Sequence, residues 1–133
     1  MNAGRILRRA GYDNDCLRST IAPVDPDEID VLPASSLMRR LWRKGIQGVT
    51  VRRWIFVDPE VMRGDPQRLG RLVIHELVHV RQYVEHGYLP FTARYAYQYG
   101  LGLLEGKGSR RAYLDVAAER EARAETSRIL GAM

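Results

Sequence analysis

The chain has 133 residues, of which 45% are hydrophobic and 28% charged, and its formal net charge is +5 at pH 7. This length suits one globular domain with a hydrophobic core, and no apolar run approaches the ~18 residues that a membrane-spanning helix needs. The basic N-terminus lacks the apolar segment of a secretory signal, so we expect no membrane span and a cytoplasmic location, with non-classical export left open.

Basic residues, nearly all of them arginine, form three short clusters at 39–44, 52–54 and 107–111. A nucleic-acid site would use such clusters with aromatic residues between them, but solvated faces and sites for acidic partners produce the same pattern. We therefore do not expect nucleic acid to be the partner. The single cysteine, Cys16, excludes an intramolecular disulfide and a cysteine-based zinc cluster.

The first 33 residues combine Asn, Asp, Gly and Pro signals with no long helical period. We therefore predict a loosely structured segment at 1–33 and one domain at 34–133. Ser35 or Ser36 is a candidate cap for a short helix at the start of that domain. The next segment, GVTVRRWIFVDP, predicts one strand that ends at Asp58–Pro59. The short helix that begins at Ser35 or Ser36, before this strand, would carry Leu37, Met38, Leu41 and Trp42.

The clearest helix is predicted from about Gln67 to His86. Asp65 can cap its start, Pro66 suits its first turn, and Gly87 suits its end. Further helices are predicted at 91–104 and 112–130, so we expect an α+β domain that is mostly helical with a small sheet. The apolar stripe of the clearest helix comprises Leu69, Leu72, Val73, Leu77, Val80 and Val84.

The segment HELVH places His75 and His79 four residues apart on that helix. This spacing puts both imidazoles on one face, one turn apart, where they can bind a single metal ion. Zn²⁺ binds neutral imidazole readily, and a catalytic zinc site has three protein ligands and a water. Glu76 is rotated by about 100° from His75, so it can reach that water as a general base without binding the metal. The motif therefore predicts Zn²⁺ at both histidines, with Glu76 as the catalytic residue.

The third metal ligand is expected on the last predicted helix. A ligand shortly after His79 would need a glycine at position 82 to turn the chain, and Gln82 stands there instead. Two glutamates of the last helix remain, Glu119 and Glu121. Glu119 lies on the more apolar face, which is the face that should pack against the motif helix, and this favours it. Glu121 stays open as the alternative, because Glu125 one turn further on could orient a motif histidine.

Three segments, VTVRRWIFVDPEV, LGRLVIHELVHVRQY and AEREAR, together resemble small bacterial gluzincin-type domains of unknown function, which are zincin-like metallopeptidases. That group shows a strand, then HEL(T/V)HVxQ, then a downstream helix with ExEA(D/R). The resemblance implies a zincin-like single domain with HExxH on a central helix and the third ligand on a C-terminal helix. Similar ExEAD segments in integral-membrane gluzincin peptidases use the first glutamate as the ligand, which here is Glu119. Arg123 replaces the aspartate that closes that pattern and orients a ligand there.

Two functions remain open. The first is a zinc-dependent metallopeptidase that hydrolyses peptide bonds by a zinc-activated water, with Glu76 as general base and a peptide or protein as substrate. The alternative is a non-catalytic zinc-binding scaffold that acts as an interaction or accessory module. The intact Glu76 favours the enzyme, and Arg123 favours the scaffold. Residues 53–58 are predicted to bind extended substrate by backbone pairing. The tyrosines between 83 and 113 mainly predict packing, although one of them could stabilise an oxyanion.

Overall fold

The computed structural model describes residues 1–41 and 46–132. It is mostly helical with one small three-stranded sheet, which confirms the predicted α+β class. Trp42, expected in the third helix, and positions 43–44 of the first basic cluster lie outside the described residues. None of the described helices is both long and apolar enough to cross a membrane. The elements in chain order are α1 (Ala3–Ala10), α2 (Asp15–Ile21), a 3-10 turn (Pro26–Glu28), β1 (Asp30–Pro33), α3 (Ser36–Leu41), β2 (Gly48–Val51), β3 (Trp54–Val57), α4 (Pro59–Arg63), α5 (Pro66–His86), α6 (Tyr88–Leu104), α7 (Ser109–Asp115) and α8 (Ala117–Gly131).

The prediction of a loosely structured segment at 1–33 is wrong, because this region forms α1, α2 and β1. Asn2 caps α1 by accepting a hydrogen bond from the Arg5 amide, and Asn14 caps α2 in the same way from the Leu17 amide. The two helices have only 8 and 7 residues, too few to show a helical period in the sequence. Their apolar side chains join the same hydrophobic core as α5, and these include Ile6, Leu7, Leu17 and Ile21.

The sheet has β3 at its centre, in the order β1-β3-β2, with β1 parallel and β2 antiparallel to it. The single strand predicted between residues 48 and 59 is therefore a hairpin. Its turn lies at Arg52 and Arg53, with Arg52 at a φ of 55°. Arginine rarely adopts this conformation, which is why no turn signal is visible in the sequence. Because β3 is paired on both sides, the backbone-pairing role predicted for Arg53–Asp58 is wrong, and β2 is the edge strand on the site's side.

Helix α5 is the central helix, and it contacts α1, α8 and β2. Its predicted bounds are confirmed to within one residue. Asp65 accepts a hydrogen bond from the Gln67 amide at 3.0 Å, and Gly87 ends the helix with a φ of 81°. Val84 was expected on the buried stripe but is exposed on the last turns. Each fully buried Val or Leu contributes roughly 1.5–3 kcal/mol to stability. The buried members of the stripe are Leu69, Val73, Leu77 and Val80.

The C-terminal region contains two helices where one was predicted. The chain breaks at Val116, whose φ of −59° and ψ of 133° are extended, and this separates α7 from α8. Neither glycine nor proline marks the break in the sequence. Helix α8 then packs against α5 with Ala122 and Ile129 buried, as expected for the apolar face. The break places Glu119 in the first turn of α8, facing α5.

Candidate metal centre

His75 and His79 lie one turn apart on α5, and their rings face the first turn of α8. The ring centroids are 5.0 Å apart and the planes are close to perpendicular, at 79°. His79 is buried, whereas His75 is partly open to solvent. The helix therefore presents two imidazole nitrogens on one face, as the HELVH spacing predicts.

Glu119 comes from α8 and lies between the two histidines with only 4% of its surface exposed. Its Oε2 is 2.9 Å from His75 Nε2, and its Oε1 is 3.0 Å from His79 Nε2. One potential ligand atom from each of the three residues lies within 4.8 Å of the others. The structure thus brings together His75, His79 and Glu119.

The His79 Nε2 atom gives a direct test of whether this group suits a metal ion. Although 3.0 Å from Glu119 Oε1, it is not aligned for a hydrogen bond. It is buried and has no hydrogen-bond partner among the described residues. A buried nitrogen without a partner is costly, and a metal ion would use its lone pair. Two imidazoles and one carboxylate are also the ligand types that zinc takes in catalytic sites. The residues present therefore fit Zn²⁺.

Electrostatics at the cluster also indicate that it requires a positive charge. Burial alone lowers the pKa of His79, but the carboxylates of Glu119 and Glu76 outweigh this effect and raise that pKa to about 9. Burial alone raises the pKa of Glu119, but the two imidazoles lower that pKa well below its ordinary value. A positive charge beside Glu119, carried by the proton of His79 or by a metal ion, balances this buried carboxylate.

Glu76 is buried beside the cluster, on the wall of the cavity that also contains His79 and Glu119. The Thr50 hydroxyl on β2 donates a hydrogen bond to Glu76 Oε2 at 2.6 Å. This contact fixes the orientation of the carboxylate on the cavity wall, and Glu76 is not one of the three residues grouped as potential ligands. Thr50 was not predicted as a site residue, because its role depends on the packing of β2 against α5.

Several tyrosines surround the cluster. The Tyr95 hydroxyl donates to Glu119 Oε1 at 2.9 Å, and burial together with the negative charge of Glu119 raises the pKa of Tyr95. Burial and the Glu119 charge likewise raise the pKa of Tyr113. Tyr83 donates to the Thr50 carbonyl at 3.1 Å, and burial raises its pKa to about 12. All three phenols are therefore protonated at neutral pH, and Tyr83 and Tyr95 already donate to the Thr50 carbonyl and to Glu119.

Glu121 is not brought to the histidines. Its side chain is 48% exposed, and it pairs with Arg81 and with the Gln82 amide on the outer side of the α5–α8 interface. Arg123 donates to the Leu114 carbonyl at 2.7 Å, so its position does not supply an acidic partner for a histidine. Cys16 lies elsewhere, 3.3 Å from the Arg128 guanidinium.

Gln82 is a further residue near the cluster that was not predicted to have a role. Its side-chain oxygen lies 2.7 Å from His79 Nδ1. The residue is part of the HELVHVRQ segment, so its presence was visible in the sequence. Its contact was not, because it depends on the side-chain conformations of two neighbouring turns and on the position of α8.

Parts of the basic clusters are neutralised by nearby carboxylates. Arg53 is 3.3 Å from Glu28, and Lys107 is 3.1 Å from Asp115. Such ion pairs are typical of ordinary solvated surface and reduce the positive potential that a nucleic acid would need.

No protein-family model, no curated protein and no solved structure matches this chain. The function must therefore be inferred from the geometry and chemistry of the site.

Proposed function

We propose that the protein is a zinc-dependent metallopeptidase of the gluzincin type, built on a zincin-like fold. The observation that carries this proposal is the convergence of His75, His79 and Glu119 around a buried nitrogen that lacks a hydrogen-bond partner among the described residues. The position of Glu76 beside these three residues, outside the ligand set, adds support.

His75, His79 and Glu119 would hold the metal ion, with Glu119 rather than Glu121 as the third ligand. Bound there, zinc would lower the pKa of a water molecule and polarise a substrate carbonyl. Glu76 accepts the proton of the attacking water and returns it to the leaving nitrogen. Thr50 holds the Glu76 carboxylate in position for this transfer through its 2.6 Å hydrogen bond.

A tyrosine is available to stabilise negative charge that develops on the substrate carbonyl oxygen. Tyr95 is protonated at neutral pH because its pKa is raised, and it can exchange its hydrogen bond with Glu119 Oε1 for one with that oxygen. Tyr113 lines the cavity that contains Glu76 and also a second, neighbouring pocket that Glu76 borders. Aimed donors of this kind lower the barrier because the oxyanion forms in a site that water does not fill.

The substrate class follows from the walls of the site. A cavity of about 380 Å³ begins at Glu76, His79 and Glu119. Its other walls are mainly aromatic and aliphatic, so a peptide with an apolar side chain next to the scissile bond fits it best. The edge strand β2 borders the same cavity and can pair with an extended peptide. The apolar walls include Val49, Tyr83, Phe91, Tyr95 and Tyr99.

The test compares zinc content and peptide cleavage in wild type and Glu76→Gln, with a library of peptides that vary at the positions flanking the scissile bond. We expect Glu76→Gln to retain zinc and to lose about 10²–10⁴-fold in cleavage rate, the range for a general base. Glu85→Gln, an exposed glutamate on the same helix, is the matched control and should cleave as wild type does. Full cleavage by Glu76→Gln would contradict the assigned base.

A second candidate function is a zinc-binding scaffold that does not turn over. The observation that favours it is Arg123, which points to the Leu114 carbonyl and leaves the histidines without an acidic partner from that position. The same experiment separates the two candidates. A wild-type protein that binds one zinc ion per chain but cleaves no peptide of the library would favour the scaffold.

A further inference from the structure

Gln82 is almost completely buried, with 2% of its surface exposed, and every polar atom of its side chain has a partner. Its Oε1 lies 2.7 Å from His79 Nδ1. Its Nε2 donates to the Ala118 carbonyl at 3.1 Å and to Glu121 Oε1 at 3.0 Å. One amide group thus joins a histidine of α5 to two acceptors on α8.

The orientation of this amide is determined by its partners on α8. A backbone carbonyl and a carboxylate only accept hydrogen bonds, so the NH₂ group of Gln82 must face Ala118 and Glu121. The reversed amide would bring its oxygen against both acceptors and its NH₂ group against His79. The Gln82 oxygen therefore faces His79, and the contact at 2.7 Å requires a proton on His79 Nδ1.

A proton on Nδ1 has a consequence at the other side of the ring. In the neutral imidazole, the lone pair is then on Nε2. This is the atom that lies 3.0 Å from Glu119 Oε1 with no hydrogen-bond partner in the described part of the chain. Two acceptors that face each other at this distance repel unless a cation lies between them.

We infer that Gln82 is a positioning residue: it fixes His79 as the Nδ1–H tautomer and so directs the Nε2 lone pair to the metal ion. This inference rests on the proposed metal site. Outer partners of this kind orient metal-binding histidines and fix their tautomer. Glu121 contributes one step further out, because it accepts from the Gln82 amide and is itself paired with Arg81. Glu119 would bind the metal, while Glu121 helps to orient the group that orients a ligand.

The principal test is Gln82→Met, which has a similar volume but no hydrogen-bonding groups. Zinc affinity is measured by competition with a chelator, and we expect it to fall by about 10–100-fold. The matched control is Gln67→Met, an exposed glutamine on the first turn of the same helix, which should bind zinc as wild type does. Circular dichroism of both variants checks that the fold is retained.

A rescue experiment distinguishes positioning from packing. In the exchanged pair, Gln82→Glu with Glu121→Gln, the side chain at 82 still accepts from His79 Nδ1 and now accepts from the amide at 121. The carboxylate at 82 still faces the Ala118 carbonyl in this pair, so we expect the pair to regain part, and not all, of the affinity that Gln82→Met loses. The single change Gln82→Glu places a carboxylate against Glu121 and Ala118, and should bind zinc more weakly than the exchanged pair.

A spectroscopic experiment tests the tautomer without metal. Nitrogen-15 NMR of the zinc-free protein at about pH 10.5, above the pKa of His79, reports which ring nitrogen carries the proton. We expect Nδ1–H in wild type and a shift toward Nε2–H in Gln82→Met. Nε2–H in wild type, or unchanged zinc affinity in Gln82→Met, would overturn the inference. If wild type shows Nδ1–H but binds no zinc, the proposed function fails while the tautomer assignment stands.

Discussion

Two clusters at the α5–α8 interface use the same kind of side chain in different ways. Each contains one glutamate of α8 and nitrogen-bearing side chains of α5. The two glutamates, Glu119 and Glu121, are separated by one residue. The carboxylate of Glu119 is buried, whereas that of Glu121 is half exposed. The inner cluster is His75, His79 and Glu119, and the outer cluster is Arg81, Gln82 and Glu121.

The difference lies in what balances each carboxylate. Glu121 pairs with the guanidinium of Arg81, a type of group that keeps its positive charge in proteins. His79 opposite Glu119 can lose its proton, and the buried carboxylate then requires another cation. A shift of two positions along α8 thus separates an ion pair that stabilises the fold from a group that can bind a metal ion.

The largest expected effect comes from Glu119→Gln, which keeps the size of the side chain but removes its charge and one potential ligand. We expect zinc affinity to fall by more than about 100-fold, beyond the range for residues that only orient ligands. Competition with a chelator measures it.

The matched change in the outer cluster is Glu121→Gln. Its amide oxygen can still accept from Gln82, so we expect zinc affinity to change by less than about tenfold, the lower limit for an outer partner of a ligand. The opposite result, with zinc lost in Glu121→Gln and retained in Glu119→Gln, would make Glu121 the third ligand. The contrast drawn between the inner and outer clusters would then be wrong.

A smaller effect is expected within the inner region from Thr50→Val, which removes the hydroxyl that binds Glu76 at 2.6 Å. We expect kcat to fall by about tenfold, because the carboxylate loses its orientation, and the free energy of unfolding to fall by about 1.5–3 kcal/mol, the range for a hydrogen bond to a charged group. Zinc affinity should stay as in wild type. Steady-state kinetics, urea unfolding and chelator competition measure these quantities. A loss of zinc in this variant would mean that the orientation of Glu76 also affects zinc binding, so that Glu76 does not act in proton transfer alone.

The pH dependence of stability should also separate the two clusters. The pKa of His79 is raised from 6.5 to about 9, so its contribution is complete below pH 6.5 and is lost as the pH rises through about 9. The pKa of Glu119 is lowered from 4.5, so its contribution is present above pH 4.5 and is lost as the pH falls further. We therefore expect the melting temperature of zinc-free protein to decrease from pH 6.5 to above 9. Zinc should reverse this trend, because it binds the deprotonated form of His79.

The control for this pH effect is Glu119→Gln, which lacks the carboxylate that raises the pKa of His79. We expect a flatter pH profile in that variant. A profile as steep as that of wild type would assign the effect to groups outside the inner cluster. Thermal melting followed by circular dichroism measures each profile.

Much of the fold around the site was predictable because local signals agree there. The bounds of α5 follow from Asp65, Pro66 and Gly87, whose chemistry suits a helix start and end. The turn at Arg52 and the break at Val116 were not predictable in this way. Neither residue is one that turns or breaks favour, so tertiary packing determines both.

The residues of the candidate site differ in the same respect. His75, Glu76 and His79 follow from spacing on one helix, and Glu119 follows from the apolar face of another. The hydrogen bonds of Thr50 and Gln82 depend on how β2 and α8 pack against α5, so neither residue could be assigned a role from the sequence. Periodicity indicates which residues share a face, but it does not give the side-chain contacts between faces.

The smallest expected effect on the metal site comes from Arg81→Met in the outer cluster. Arg81 donates to the Thr20 carbonyl at 2.9 Å and pairs with Glu121, so it joins α5 to both α2 and α8. We expect its loss to reduce the free energy of unfolding by about 1–3 kcal/mol, because the Thr20 carbonyl is left without this donor. Zinc affinity should change by well under tenfold, since Gln82 still has the Ala118 carbonyl to orient it. Urea unfolding and chelator competition measure the two quantities, with Arg68→Met, an exposed arginine on the same helix, as the control. If Arg81→Met loses as much zinc affinity as Gln82→Met, the Arg81–Glu121 ion pair also belongs to the metal site, and the division between a pair that stabilises the fold and a group that binds metal does not hold.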